Sequence, residues 1–147
     1  MDLIEFVRQK AKTFGDKTYL IGEGGPVSYA ELDANTNRLA AQLIALGVQP
    51  CDRVALLHPN SPYLFQGYLA VAKAAAVAVP VNPIYTPPEI GHILADSGAK
   101  LLVAHESLAD KAAEPVAQLA RPPRIVVRRE DQSLTQALGE AGGGDGH

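Results

Sequence analysis

Four short runs of aliphatic and β-branched residues, at 54–57, 77–81, 101–104 and 125–127, are each separated from the next by a longer segment of helical period. This alternation constrains the fold more than any other feature. The runs do not alternate apolar with polar, so each suits a strand covered on both faces. Strands joined through helices make right-handed crossovers and a parallel sheet. The predicted fold is therefore α/β, a parallel sheet with helices on both faces.

Punctuation between the runs agrees with that assignment. Ser28 followed by Glu31, and Thr86 followed by Glu89, are capping boxes that open helices. In the second, Pro87 occupies the first helical position. Leu32, Leu39, Leu43 and Leu46 lie along one face of the first of these helices, and Gly47 is placed to end it in a left-handed residue. Gly98 ends the second in the same way. The segment 62–74 is apolar on most sides and should be buried. A helix is expected over 108–119, with Pro115 inside it, and Ser133 with Gln136 opens a last short helix. Before the alternating region, Leu3, Val7, Ala11 and Phe14 mark one face of an N-terminal helix. A short strand at 18–21 is followed by the turn 22–26, and Val27 can pair back as a hairpin.

With 147 residues the chain has length for one domain and can bury roughly 70% of its unfolded surface. Residues 1–141 read as that domain and the glycine-rich 142–147 as a tail or linker. A net charge of -3 argues against a nucleic-acid partner. The single cysteine, Cys51, allows neither an internal disulfide nor a cysteine-based zinc site. The N-terminus lacks the basic start and apolar run of a secretory signal, and the longest uncharged stretch is broken by Pro59 and Pro62, so no transmembrane segment is expected. A cytoplasmic location is the default expectation.

Ligands of open α/β sheets bind beyond the carboxyl ends of the strands. Two polar loops occupy that place. One carries His58 and Asn60, the candidates for a substrate edge. The other carries Asn82, Pro83, Ile84 and Tyr85, candidates for a cofactor contact. The helix start at Thr86–Glu89 adds a local positive potential suited to anions. His58 reads first as a turn histidine, and the Arg128-Arg129-Glu130-Asp131 run as solvated surface. Neither a G-x-x-x-x-G-K-[ST] loop nor a G-x-G-x-x-G after a strand is present. The residues assemble no catalytic triad, carboxylate pair or metal ligand set, so no catalytic residue and no metal site are assigned. The missing dinucleotide fingerprint also counts against a dehydrogenase.

Several stretches together resemble one family. Val27-Ser28-Tyr29-Ala30-Glu31-Leu32 looks like the first core motif of the adenylate-forming (AMP-binding) superfamily. Residues 68–83 resemble the second, and residues 46–55 match the usual turn between them. The run from Asn82 to Glu89, continuing to Asp96-Ser97-Gly98-Ala99-Lys100, is similar to that of long- and medium-chain fatty-acyl-CoA ligases. The resemblance implies the N-terminal subdomain of the acyl-CoA synthetase fold. It also implies, for a full-length relative, a two-step acid–thiol ligation using ATP, Mg2+ and coenzyme A, with a fatty acid as substrate. The loop 82–85 would lie on the coenzyme A side, although the arginine some members use there is replaced by Ile93.

The family's phosphate loop, ribose carboxylate and C-terminal lysine have no match among these 147 residues. The chain alone is therefore expected to be inactive. Its expected partner is the remainder of a ligase, or another copy of itself, against an exposed apolar face. The alternative is a non-catalytic binding or interaction module with a doubly wound fold. Two departures from the family pattern concern the backbone. Cys51 and Ala75 stand where glycine is usual, in a turn and at a helix end that favour positive φ.

Overall fold

The computed structural model describes residues 3–20 and 25–143. The element order is α1 (Leu3–Phe14), β1 (Thr18–Leu20), β2 (Val27–Ser28), α2 (Tyr29–Ala45), β3 (Arg53–Leu57), α3 (Pro62–Lys73), β4 (Val77–Pro80), α4 (Pro87–Ser97), β5 (Leu101–His105), α5 (Glu106–Ala117), β6 (Arg124–Arg128) and α6 (Leu134–Gly143). Strands β1 and β2 form a small antiparallel ribbon, as the hairpin expectation required. The other four make a parallel sheet in the order β4-β3-β5-β6. Most of the expected turn at 22–26, the end of the expected strand at Ile21, and the tail from residue 144 lie outside the described residues.

The caps form as their spacing dictates. Ser28 Oγ accepts from the Glu31 N–H at 3.1 Å, while the Ser28 N–H donates to Glu31 Oε1 at 3.3 Å. Thr86 and Glu89 close the equivalent box on α4. Gly47 follows the end of α2 at φ 97°, and Gly98 ends α4 at φ 64°. The last helix runs through Gly142 and Gly143, so part of the expected tail is helical.

Two apolar layers flank the sheet. On one face Leu39, Leu43, Val54, Val71, Val103 and Leu138 join α2, α3 and α6 to the strands. On the other, Ala55, Leu57, Ile90, Leu94, Leu102 and Ala112 join α4 and α5. This double coverage explains why β5 is buried at every position.

Strand β4 departs from the expectation of a buried strand. It is the sheet edge, with Val77 and Pro80 exposed and the residues between them half-buried. The Val77 and Val81 N–H groups donate to the Asp52 and Leu56 carbonyls at 2.8 and 3.0 Å. By two-residue alternation, the nitrogen of Pro80 therefore faces away from β3. Proline sits here without costing a ladder bond, and it removes a donor from the open edge. Strand β6, expected in the core, is the opposite edge and leaves Val127 exposed.

The glycine replacements are conformationally strained. Cys51 has φ 68° and Ala75 has φ 61°, both in the left-handed region. Asp52 N–H donates to the Gln49 carbonyl at 3.0 Å, closing a turn with Pro50 and Cys51 at its centre. Positive φ at the second central position makes it type II, which favours glycine there. Ala75 follows the C-cap Ala74, the position where helices commonly turn left-handed. A hydrogen bond from Cys51 N–H to the Ala75 carbonyl, 2.9 Å, ties the two sites together. Cys51→Gly and Ala75→Gly are each expected to raise stability by about 1 kcal/mol, the strain of a left-handed L-residue less the entropy glycine adds to the unfolded chain. Urea unfolding would measure it. The double variant should gain less than the sum, because the sites share a bond. A loss of stability in both single variants would contradict the strain.

Candidate functional site

The carboxyl ends of β3 and β4 diverge into the two loops expected to carry ligand contacts. Between them lies a cleft of about 620 Å³. All six residues singled out in the sequence, His58, Asn60, Asn82, Pro83, Ile84 and Tyr85, line it. Leu56, Leu64, Tyr68 and Val81 supply apolar walls. Asn82 Oδ1 accepts from the Ile84 N–H at 3.0 Å, an Asx turn that shapes the second loop. Ile84 is thereby held out at 80% exposure. Lys111 of α5 anchors the same loop by donating to the Pro83 carbonyl. Burial pushes the Tyr68 hydroxyl above its ordinary pKa, so it stays protonated at neutral pH.

His58 is neither a surface turn residue nor an available base. It is buried, and both ring nitrogens are engaged. Nδ1 lies 2.8 Å from the Pro59 carbonyl oxygen, which only accepts, so Nδ1 carries the proton. Nε2 then accepts from Arg128 Nε at 2.9 Å. The His105 ring packs edge-on against it with centroids 5.2 Å apart. His105 Nε2 meets Glu130 Oε2 at 2.6 Å, and its Nδ1 accepts from the Ser107 N–H at 3.1 Å. These contacts make His58 a wall of the cleft, held in one tautomer by its neighbours.

Arg128 corrects the expectation of a solvated run. Its side chain is fully buried at 0% exposure. Besides His58, it donates to the Arg129 and Gln132 carbonyls, and its guanidinium lies 4.4 Å from the centroid of the Tyr63 ring. Arg129, Glu130 and Asp131 are exposed as expected. A signal was available in the pattern. Two-residue alternation along β6 puts Arg128 on the same face as buried Val126.

The start of α4 also differs from the anion site expected. Glu89 already occupies it, and hydrogen bonds from the Thr86 backbone and hydroxyl hold the Glu89 carboxyl below its usual range. The cleft itself has no Asp, Glu, Lys or Arg among its described lining residues. No group of three or more His, Cys, Asp or Glu residues capable of holding a metal occurs among the described residues. The donor set of this cleft does not fit a triphosphate or its Mg2+. It does fit an uncharged, partly apolar group. Among the described residues no helix is long and apolar enough to cross a membrane.

A parallel sheet flanked by helices, with a cleft at its carboxyl edge, defines an α/β protein of the open-sheet class, in which that edge is the usual place for ligands. The chain belongs to the AMP-binding enzyme family, whose model matches residues 7–145. It is 34% identical over 128 residues to a 3-hydroxybenzoate–CoA ligase of Aromatoleum sp. (strain CIB), covering 87% of this chain and 24% of that one. It superimposes on a long-chain-fatty-acid-CoA ligase from Archaeoglobus fulgidus with a TM-score of 0.83 and 30% identity, over 93% of this chain and 29% of that one. A benzoate CoA ligase from Burkholderia xenovorans LB400 shares the fold at a TM-score of 0.85 and 24% identity, over 96% of this chain and 28% of that one. The chain thus spans about a quarter of the length of these relatives. The fold is that of the N-terminal subdomain of adenylate-forming enzymes.

Proposed function

We propose that this chain is the N-terminal portion of an ATP-dependent, AMP-forming ligase that joins a fatty acid to coenzyme A through an acyl-adenylate. The observation that carries this reading is the family match across residues 7–145, together with a cleft built by the loops that follow β3 and β4, the second of which lies in a matching motif. In the whole enzyme ATP, Mg2+ and coenzyme A would supply the activation and the thiol. This chain's own residues contribute walls and positioning. His58 and Asn60 edge the substrate side, and Asn82, Pro83, Ile84 and Tyr85 face coenzyme A. Because the cleft is uncharged, its contacts would be to the neutral part of that molecule. An acidic or basic ligand would be left without a counter-charge there. The location proposed is the cytoplasm.

The sheet edge at β4 and the exposed Ile84 and Val77 favour a protein partner, either the rest of a ligase or a second copy of this chain. A wholly non-catalytic interaction module remains the competing reading, and that apolar edge is what favours it.

The test pairs two measurements. Pure chain is assayed for ATP–pyrophosphate exchange with fatty and aromatic acids, and the same sample is sedimented over a concentration series. The expected result is no exchange, with weak self-association. Exchange above background would overturn the assignment of the ATP machinery to residues outside this chain. Restored exchange on mixing with the remainder of a family ligase, with a preference for fatty over aromatic acids, would support the ligase reading. No restoration would favour the interaction module.

A further inference from the structure

A second groove, of about 460 Å³, lies between α2, the first turn of α3 and the start of α6. It is separate from the cleft described above, sharing none of its lining residues. Its lining differs in kind. Arg38 of α2 is exposed and makes no ion pair or side-chain hydrogen bond among the described residues. Gln66 of α3 is only 4% exposed, yet its amide has no hydrogen-bond partner among the described residues. A buried amide without a partner is uncommon, because it loses its hydration and gains nothing in return. The amide of Gln66 is not sealed in the core. Gln42 Oε1 is the one fully enclosed, unpartnered side-chain atom among the described residues. Gln66 therefore opens on the groove it lines.

The start of α6 completes the groove. The Gln136 N–H is satisfied by Ser133 Oγ at 3.1 Å, and the Ala137 N–H by the Ser133 carbonyl. The N–H groups of Leu134 and Thr135 have no acceptor among the described residues, and both residues line the groove. A ten-residue helix directs its positive end there. A free guanidinium, an unpartnered buried amide and two free backbone donors converge from three elements.

We propose that this groove is a binding site for a small oxyanion, a carboxylate or a phosphate group. The oxyanion accepts from Leu134 and Thr135 N–H and from the Gln66 amide, and Arg38 supplies the counter-charge. Glu31 also lines the groove and opposes the ligand. Its carboxylate is drawn toward the Ser28 N–H by the capping box, which limits but does not remove that repulsion. This site does not depend on the ligase reading, since it shares no lining residue with the cleft between β3 and β4.

Titrations of the isotopically labelled chain with acetate and with inorganic phosphate, at constant ionic strength against a chloride control, test the site by NMR. Saturable shifts are expected at the Leu134 and Thr135 amides and the Gln66 side-chain NH2. Saturation by acetate alone assigns the site to carboxylates, and tighter binding of phosphate assigns it to phosphate groups. Either result supports the oxyanion. Arg38→Gln should weaken binding on the order of tenfold. Gln66→Leu should weaken it about threefold. Glu31→Gln should tighten it about twofold, because glutamine keeps the cap and removes the opposing charge. Shifts no larger than with chloride would overturn the proposal. So would a Glu31→Gln variant that binds more weakly while its helix content is unchanged.

Discussion

Arg128→Ala is expected to lower stability by about 3 kcal/mol, the largest effect of any single substitution considered for this chain. The side chain is fully enclosed, so truncation leaves a cavity where the guanidinium and its stem packed. It also removes donors from His58 Nε2 and from the Arg129 and Gln132 carbonyls, which would be stranded at the carboxyl edge of the sheet. The stacking on Tyr63 goes with them. For a domain of this size the loss corresponds to a drop in Tm of roughly 10 °C. Arg128→Lys should recover only part of it, because an ammonium cannot present the planar fork that reaches His58 and two carbonyls at once. Arg129→Ala is the control. Its side chain is exposed and pairs loosely with Asp131 and Glu140 at 3.6 and 3.7 Å, so its removal should change stability by less than about 0.5 kcal/mol. Equal effects of the two alanine substitutions would show that Arg128 is not the buried node described.

Lys73→Met is expected to cost about 2 kcal/mol. Lys73 closes the contact between α2 and α3. Its ammonium donates to Asp33 Oδ1 at 2.8 Å, to the Asp33 carbonyl at 3.2 Å and to Asn37 Oδ1 at 2.8 Å, so all three of its donors are used. The side chain is 5% exposed, and Asp33 is 22% exposed. Methionine preserves the packing of the stem, so the loss measures the polar contacts alone. Removing the cation leaves a partly buried carboxylate without its partner, which is the costly half of breaking such a pair. A double-mutant cycle with Asp33→Asn should return a coupling of about 1 kcal/mol. Additive effects would show that the two groups do not share an interaction. By contrast, the exposed pair between Lys100 and Asp52, at 3.2 Å, should contribute little.

The two nodes differ in how visible they are in the sequence. Lys73 lies at the end of an apolar helix and Asp33 forty residues earlier, with nothing local to link them. Arg128 was legible in part, since strand parity places it with Val126, but the following Arg129-Glu130-Asp131 gives the whole run the look of solvated surface. The six cleft residues were identifiable because they follow strands, and open sheets bind ligands there. Their meeting in one cleft depends on β3 and β4 being neighbours. The second groove gave no sequence signal. Arg38, Gln66 and Thr135 are drawn together only by the packing of α2, α3 and α6.

What the sequence by itself determined is local. The capping boxes at Ser28 and Thr86, the left-handed residues at Gly47 and Gly98, and the four strand runs follow from short-range sterics and hydrogen bonding, which act within a few residues. Alternation of those elements was enough to give a parallel sheet. The strand order, which makes β4 and β6 the edges, and the burial of a guanidinium beside two histidines were decided by tertiary structure. Both depend on long-range packing, in which a polar group can be buried wherever distant partners supply its hydrogen bonds. Those partners are set by the register of β3, β5 and β6, and no segment of the chain carries that information alone.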